Sequence, residues 1–176
     1  MAKLVSVTIT LRLRPPRLDD EVEFVAAHRA MAEEGFTFGL GYEPGHPWEA
    51  YLAELDGFRR GACLPDGWVP MTFLVADVAG RIVGRASIRH RLNERLVREG
   101  GNIGYGVLRE HRRRGYATEI LRQSLVIARA VGPDRVLVTC DDDNAGSAAV
   151  IERCGGVFDS LTIAEGGHPI RRYWID

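Results

Sequence analysis

The residues of this chain best suited to chemistry lie in one short run, Arg112-Arg113-Arg114-Gly115-Tyr116-Ala117, followed by Thr118. A strand-like segment, residues 102–108, leads through Arg109-Glu110-His111 into this run, and a helical pattern opens at Tyr116. The first turn of a helix carries backbone N–H groups with no partner inside the helix, at the positive end of the helix dipole. A pyrophosphate is a natural ligand of such a turn. Gly115 and Ala117 lack bulk, so phosphate oxygens can approach the main chain, and the Thr118 hydroxyl offers one more donor. Arginines at a helix N-terminus oppose the dipole when no anion is present. That placement favours an anion-binding turn over a solvated basic one.

Such a turn needs a strand before it and a long helix after it, and the hydrophobic pattern supplies both. Tyr116–Val131 carries apolar or small residues at 117, 120, 121, 125 and 128, one face of a helix. Residues 135–140 read as a buried strand. Residues 147–154 read as a helix with Val150 and Ile151 inward, closed by Gly155-Gly156. Residues 157–163 and 170–175 form a terminal strand pair. Upstream, Met71–Val78 and residues 81–88 are strands joined by Ala79-Gly80, and residues 90–101 hold a short helix. Residues 18–34 and 48–58 are helices separated by an irregular loop; Val22, Val25, Ala26 and Met31 form the apolar face of the first. The alternation of Leu4, Val5, Val7, Ile9, Leu11 and Leu13 makes residues 3–14 the first strand. This order predicts a mixed α/β (α+β) fold and excludes an all-parallel sheet.

A chain of 176 residues suits one domain, residues 1–176. The net charge of −1 gives no overall field to draw nucleic acid or an anionic membrane, so the arginine clusters act locally. No apolar run is long enough to span a bilayer, and the N-terminal alternation is not that of a signal peptide. Cys63, Cys140 and Cys154 are scattered and odd in number, which points to no disulfide framework, no metal site and a cytoplasmic protein.

Beyond these physical readings, the turn resembles the pyrophosphate loop of the GNAT acetyltransferase superfamily, Arg/Gln-x-x-Gly-x-Gly/Ala, through Arg112, Gly115 and Ala117. The context is similar too: a strand before the loop, an amphipathic helix after it, Val136-Leu137-Val138-Thr139-Cys140, then Asn144 with Ser147 three residues on. A narrower resemblance, to a bacterial subgroup of acetyltransferases, covers Ile88-Arg89-His90-Arg91-Leu92-Asn93, Gly104-Tyr105-Gly106, Gly115-Tyr116-Ala117-Thr118 and Arg172-Tyr173-Trp174-Ile175. The dinucleotide fingerprint is absent, because Gly104-Tyr105-Gly106-Val107-Leu108-Arg109 lacks its third glycine. The resemblance implies a single GNAT-type domain whose central sheet has a splayed strand pair at an acetyl-CoA site. It implies acetyl-CoA as acyl donor, held by Arg112, Arg113, Arg114, Gly115, Tyr116, Ala117 and Thr118. Backbone groups of Gly106, Val107 and Leu108 would meet the pantetheine arm, with Asn144 and Ser147 beside it. The acceptor would be an amine of a small molecule or peptide, and a homodimer stays open.

Direct transfer needs a neutral amine, and an alkyl amine is mostly protonated at neutral pH. Family members often place a Glu on the splayed strand; here that region is Gly101-Asn102. Glu99, His90 and His111 are the nearby candidates for the base, and His90 has the best intrinsic pKa. The family's acid is a Tyr at the position held here by Ile151, which leaves Tyr105 and Cys154. Glu43 and Trp48 are candidates for holding the acceptor amine. Arg89, His90, Arg91, Arg95 and Arg98 make a basic insert, read either as a site for an acidic acceptor or as a solvated helix. A second function class, a non-catalytic acetyl-CoA-binding sensor or assembly module, stays open because the usual Glu and Tyr are missing.

Overall fold

The computed structural model of the chain describes residues 10–176. The elements are β1 (Leu11–Arg14), α1 (Glu21–Ala32), α2 (Trp48–Arg60), β2 (Met71–Val78), β3 (Arg81–Arg89), α3 (Glu94–Arg98), β4 (Ile103–Val107), α4 (Tyr116–Val131), β5 (Val136–Asp141), α5 (Ala145–Arg153), β6 (Val157–Ile163) and β7 (Pro169–Ile175). Short 3-10 turns, Leu18–Asp20 and Arg109–His111, precede α1 and the turn that leads into α4. Seven strands form one sheet in the order β1-β2-β3-β4-β5-β7-β6. Neighbours are antiparallel except β4 and β5, which run parallel and are joined through α4. The expected mixed α/β architecture holds. Residues 3–9 of the predicted first strand lie outside the described residues.

Helices cover both faces, so the middle strands read as nearly continuous apolar runs. Side chains alternate along β2: Met71, Phe73 and Val75 pack under α1 and α2, while Leu74, Ala76 and Val78 pack under α4. The β2–β3 turn has Ala79 at φ 53° and Gly80 at φ 82°, the left-handed pair that matches strand twist, and Gly80 N–H donates to Asp77 Oδ1 at 2.9 Å. At the outer edge, β6 exposes Val157, Phe158, Leu161 and Ile163.

The first helix buries a different stripe from the predicted one. Val22 is 84% exposed and Ala26 is exposed, whereas Phe24, Ala27 and Met31 are buried. Phe24 decides the rotation: its ring meets Phe38, Tyr42, Trp48, Tyr51 and Phe73 at centroid distances of 4.9–6.0 Å. An aromatic side chain buries far more apolar area than Val or Ala. The start of α1 is tied to the sheet by Arg14 on β1, which donates to Asp20 Oδ1 and to Asp77 Oδ2, each at 2.8 Å.

Candidate active site

The sheet opens between β4 and β5. These strands share one registered pair, Ile103 with Val138, while β3 and β4 share five and β5 and β7 share six. Beyond Ile103 the two parallel strands part, so main-chain groups are left without a ladder partner. Leu108 does not supply them: its N–H donates to Val83 O at 2.9 Å and its carbonyl accepts from His111 N–H at 2.8 Å. In an antiparallel ladder, residues facing one neighbour alternate. With Leu108 turned to β3, Gly106 is turned there too, and Tyr105 and Val107 face the gap. The expectation for Gly106 and Leu108 as backbone partners is therefore corrected: their main-chain groups turn to β3, and of the three expected residues Val107 faces the gap. Gly106 has a packing reason to be glycine, since a β-carbon there would lie 2.7 Å from Phe36 Cζ.

The turn after β4 has the anticipated construction. Gly115 caps α4 at φ 82°, and the first helical hydrogen bond is Glu119 N–H to Gly115 O. The amides of Tyr116, Ala117 and Thr118 therefore precede the ladder. A β-carbon on Gly115 would meet nothing within 4 Å, so the space in front of these amides is open. Arg113, itself left-handed at φ 63°, and Arg114 are exposed beside it. Arg112 is committed to structure: its NH2 lies 2.7 Å from Glu34 Oε2 and its Nε donates to Val107 O at 3.0 Å. It anchors the turn to the end of α1. Thr118 is 7% exposed, and its amide is among those that precede the ladder. The cradle fits a pyrophosphate through backbone donors and two free cations.

Across the gap, Tyr105 Oη lies 2.8 Å from Ser147 Oγ, joining β4 to α5. Asn144 caps α5, its Oδ1 accepting from Ser147 N–H at 2.9 Å, and so fixes the serine's position. Burial raises the Tyr105 phenol well above its ordinary value, and the Ser147 bond only partly offsets this. Burial also pushes the nearby Cys140 thiol up to about 11. These groups stay protonated at neutral pH. Cys154 is raised by burial as well, with its Sγ 3.7 Å from Thr118 O.

Several sequence candidates lie elsewhere. The His90 Nε2 lies 2.9 Å from Thr72 Oγ1 on β2, and its main chain abuts Gly132 at the far end of α4. The chain leaves β3 at Arg89 and carries the imidazole toward β2, away from the gap, which removes His90 as the base. Burial lowers its pKa, with Arg59 adding to the effect. Trp48 is 6% exposed in the aromatic core and donates its indole N–H to Arg17 O at 3.0 Å, so it holds no acceptor. Glu43 is exposed in a turn whose carbonyl accepts from His46 N–H. Glu99 Oε2 accepts from Glu165 N–H and ties α3 to the β6–β7 loop. The basic insert divides: Arg91, Arg95 and Arg98 are exposed, while Arg89 turns in and donates to Gly100 O and Gly101 O. Sequence reading passed over Arg85, which is buried beside Gly104 and Gly106 of β4. The signal was a lone charge inside Ile82-Val83-Gly84-Arg85-Ala86. Among the described residues, no three His, Cys, Asp or Glu side chains are grouped to hold a metal ion, and no helix is long and apolar enough to cross a membrane.

The fold recurs in solved structures. RimJ of Mycobacterium smegmatis, solved with CoA-disulfide, superposes with a TM-score of 0.64 at 22% identity, over 94% of this chain and 81% of that one. YncA of Salmonella typhimurium, solved with its cofactor acetyl-CoA, gives 0.62 at 15% identity, over 94% and 93%. An acetyltransferase of Agrobacterium tumefaciens strain C58 gives 0.60 at 22% identity, over 93% and 90%. No curated protein matches the chain in sequence. The family model described as Acetyltransferase (GNAT) domain matches residues 10–157. With that match over most of its length, and with the parted strands and glycine-capped turn in place, the chain belongs to the GNAT acetyltransferase family.

Proposed function

We propose that this protein transfers an acetyl group from acetyl-CoA directly to an amine of a small molecule or peptide. The observation that carries the reading is the gap that opens beyond the single β4–β5 pair, on a strand that leads into an open, glycine-capped helix start. Free strand edge and free helix amides are the two things a pantetheine arm and a pyrophosphate require. YncA, with the same fold, was solved with acetyl-CoA, and RimJ with CoA-disulfide. Acetyl-CoA would supply the activated acyl carbon. The amides of Tyr116, Ala117 and Thr118 would hold its pyrophosphate, with Arg113 and Arg114 adding charge, and the Val107 amide would hold the arm. The Tyr105–Ser147 hydroxyl pair keeps a proton at the gap, where it can hydrogen-bond a departing thiolate. Gly101-Asn102 offers no base, so deprotonation of the acceptor falls to water or a second amine, and positioning supplies much of the rate.

The test is calorimetry with acetyl-CoA followed by a thiol-release assay over a panel of amines. Binding with turnover is the expected result; no heat of binding at millimolar acetyl-CoA defeats the reading. Binding without turnover of any amine would favour the second reading, a sensor or assembly module, which the fully buried Ile151 and the Gly101-Asn102 pair support.

A further inference from the structure

Two guanidinium groups sit together on the face of β3 that looks toward α1 and α2, and no acid accompanies either. Arg85 is 5% exposed. Its NH1 donates to Ser87 Oγ at 3.0 Å and Gly104 O at 3.2 Å, and its NH2 donates to Thr37 O at 2.7 Å. Its plane lies 4.5 Å over the Phe36 ring, and its Nε has no partner. Arg89 NH1 donates to Gly100 O at 2.9 Å and Gly101 O at 3.2 Å. Every one of these acceptors is a neutral oxygen. Four other arginines in the sheet have a carboxylate: Arg14 has Asp20 and Asp77, Arg81 has Glu23, Arg171 has Asp142, and Arg172 has Asp159. Burial pushes Arg85 down to about 9, with the Arg89 charge adding to the effect, and pushes Arg89 down to about 10. A single arginine would suffice to pin the Phe36–Thr37 loop to the sheet. A second one four residues along only repels the first unless an anion lies between them.

The two side chains converge. Arg85 NH1 is 3.5 Å and Arg89 NH1 3.6 Å from the point a β-carbon on Gly104 would occupy. Gly104 is half-exposed and follows Ile103, the last residue of β4 paired with β5. One buried and one half-buried cation thus reach over a bare glycine at the root of the gap, at the opposite end of β4 from the pyrophosphate turn. A carboxylate matches guanidinium donors in charge and geometry.

We propose that Arg85 and Arg89 form a carboxylate-binding subsite over Gly104, and that the carboxylate belongs to the amine acceptor. The acceptor is then a free amino acid, or a small amine or peptide whose carboxylate lies close to the amine. The acceptor is favoured over the donor because the anionic part of acetyl-CoA belongs at the far turn and its acetyl group carries no charge. This inference rests on the acetyl-transfer reading above.

The test compares free amino acids and dipeptides with their carboxamides as acceptors, using acetyl-CoA and thiol release, in the parent and in Arg89→Gln and Arg89→Lys. In the parent, kcat/KM for the best free acid should exceed that of its amide by about 30-fold or more, as loss of a charge-assisted pair implies. Arg89→Gln should raise KM for the acid by a similar factor and erase the gap. Its turnover of the amide and its acetyl-CoA affinity should stay unchanged, and Arg89→Lys should recover part of the loss. Arg85→Lys should act in the same direction; if it fails to fold, the Arg89 variants carry the test. Equal use of acid and amide by the parent, or equal slowing of both in Arg89→Gln, would overturn the proposal. So would acetyl-CoA binding with no free acid turned over. A third arm uses succinyl-CoA with an amide acceptor: a loss in Arg89→Gln confined to that donor would place the carboxylate on the acyl group and overturn the acceptor assignment. Failure of the underlying reading shows separately, as absence of acetyl-CoA binding.

Discussion

Gly115 is constrained twice, by its own backbone and by what it must leave open. At φ 82° any β-carbon is strained, which costs about 1 kcal/mol, and open space beyond it means that packing adds no further penalty. Gly115→Ala should therefore lower stability by about 1 kcal/mol in a urea melt. Gly115→Glu should lower it little more, yet abolish acetyl-CoA binding by calorimetry. Equal affinity in Gly115→Glu would place the phosphates elsewhere. Tyr105→Phe removes only the hydroxyl bonded to Ser147; it should slow turnover about 100-fold with donor affinity unchanged. His90→Ala should leave the rate within about twofold, because the imidazole is bonded to Thr72 rather than set at the gap. Much of this scale was legible in the sequence: the glycine turn, Asn144 with Ser147, and Tyr105 were all identifiable. Trp48 and His90 misled because residue type reports chemistry but not direction. Trp48 reads equally well as a binding residue or a core residue until Phe24 and Tyr51 are known to surround it.

At the scale of elements, one ion cluster holds β1, β2 and the entry to α1 together. Arg14 and Asp20 are both largely buried, with side chains 12% and 8% exposed. Burial alone would raise the Asp20 carboxyl, but the Arg14 hydrogen bond and the Arg17 amide outweigh it, and the net shift is downward. A carboxylate depressed in the folded state contributes stability that is complete above its unfolded value of about 4. That contribution disappears as the pH falls through the folded value. Asp20→Asn should cost about 2 kcal/mol at pH 7, because it removes one of the two carboxylates that hold a largely buried guanidinium. Its stability should also fall less steeply below pH 4 than the parent's. Equal acid sensitivity of the two proteins would show that the cluster does not govern that transition. Helices and strands from residue 71 onward followed the hydrophobic pattern closely; α4 and β2 match their predicted limits. The rotation of α1 did not, since Val22, Val25 and Ala26 outnumber Phe24 in the pattern while Phe24 outweighs them in buried area.

At the scale of the whole molecule, the proposed ligand would lie between β4 and β5 and against the start of α4. A ligand bound only by the native state stabilises it by about 2.7 kcal/mol at a hundred times its Kd, which for a chain of this size raises the melting temperature by about 5–10 °C. Acetyl-CoA should produce that shift in a thermal scan, and Gly115→Glu should abolish it. The arrangement of strands at this scale was only partly legible. Alternation and turn residues revealed the individual strands, and the element order revealed the mixed sheet. The gap itself came only from resemblance, because the number of pairs two strands share depends on main-chain directions that side-chain type does not encode. Arg85 escaped notice for a related reason. Its significance depends on Arg89 reaching the same glycine and on the absence of any acid nearby, and both are facts of assembly.

The parted strands also reverse the usual relation between depth and solvent exchange. Central strands are ordinarily the slowest places for an amide proton to be replaced by deuterium, because both neighbours hold them. Here β4 and β5 stand at the middle of a seven-stranded sheet with one registered pair between them. In the free protein the Tyr105 and Val107 amides should label early, ahead of those in β2 and β3 on the same sheet. With acetyl-CoA present they should fall silent, as a small molecule takes the place of a missing strand. Deuterium uptake by mass spectrometry, with and without acetyl-CoA, would read the seam directly. Uniform protection of β2 through β5 in the free protein would mean that the strands are closed in solution.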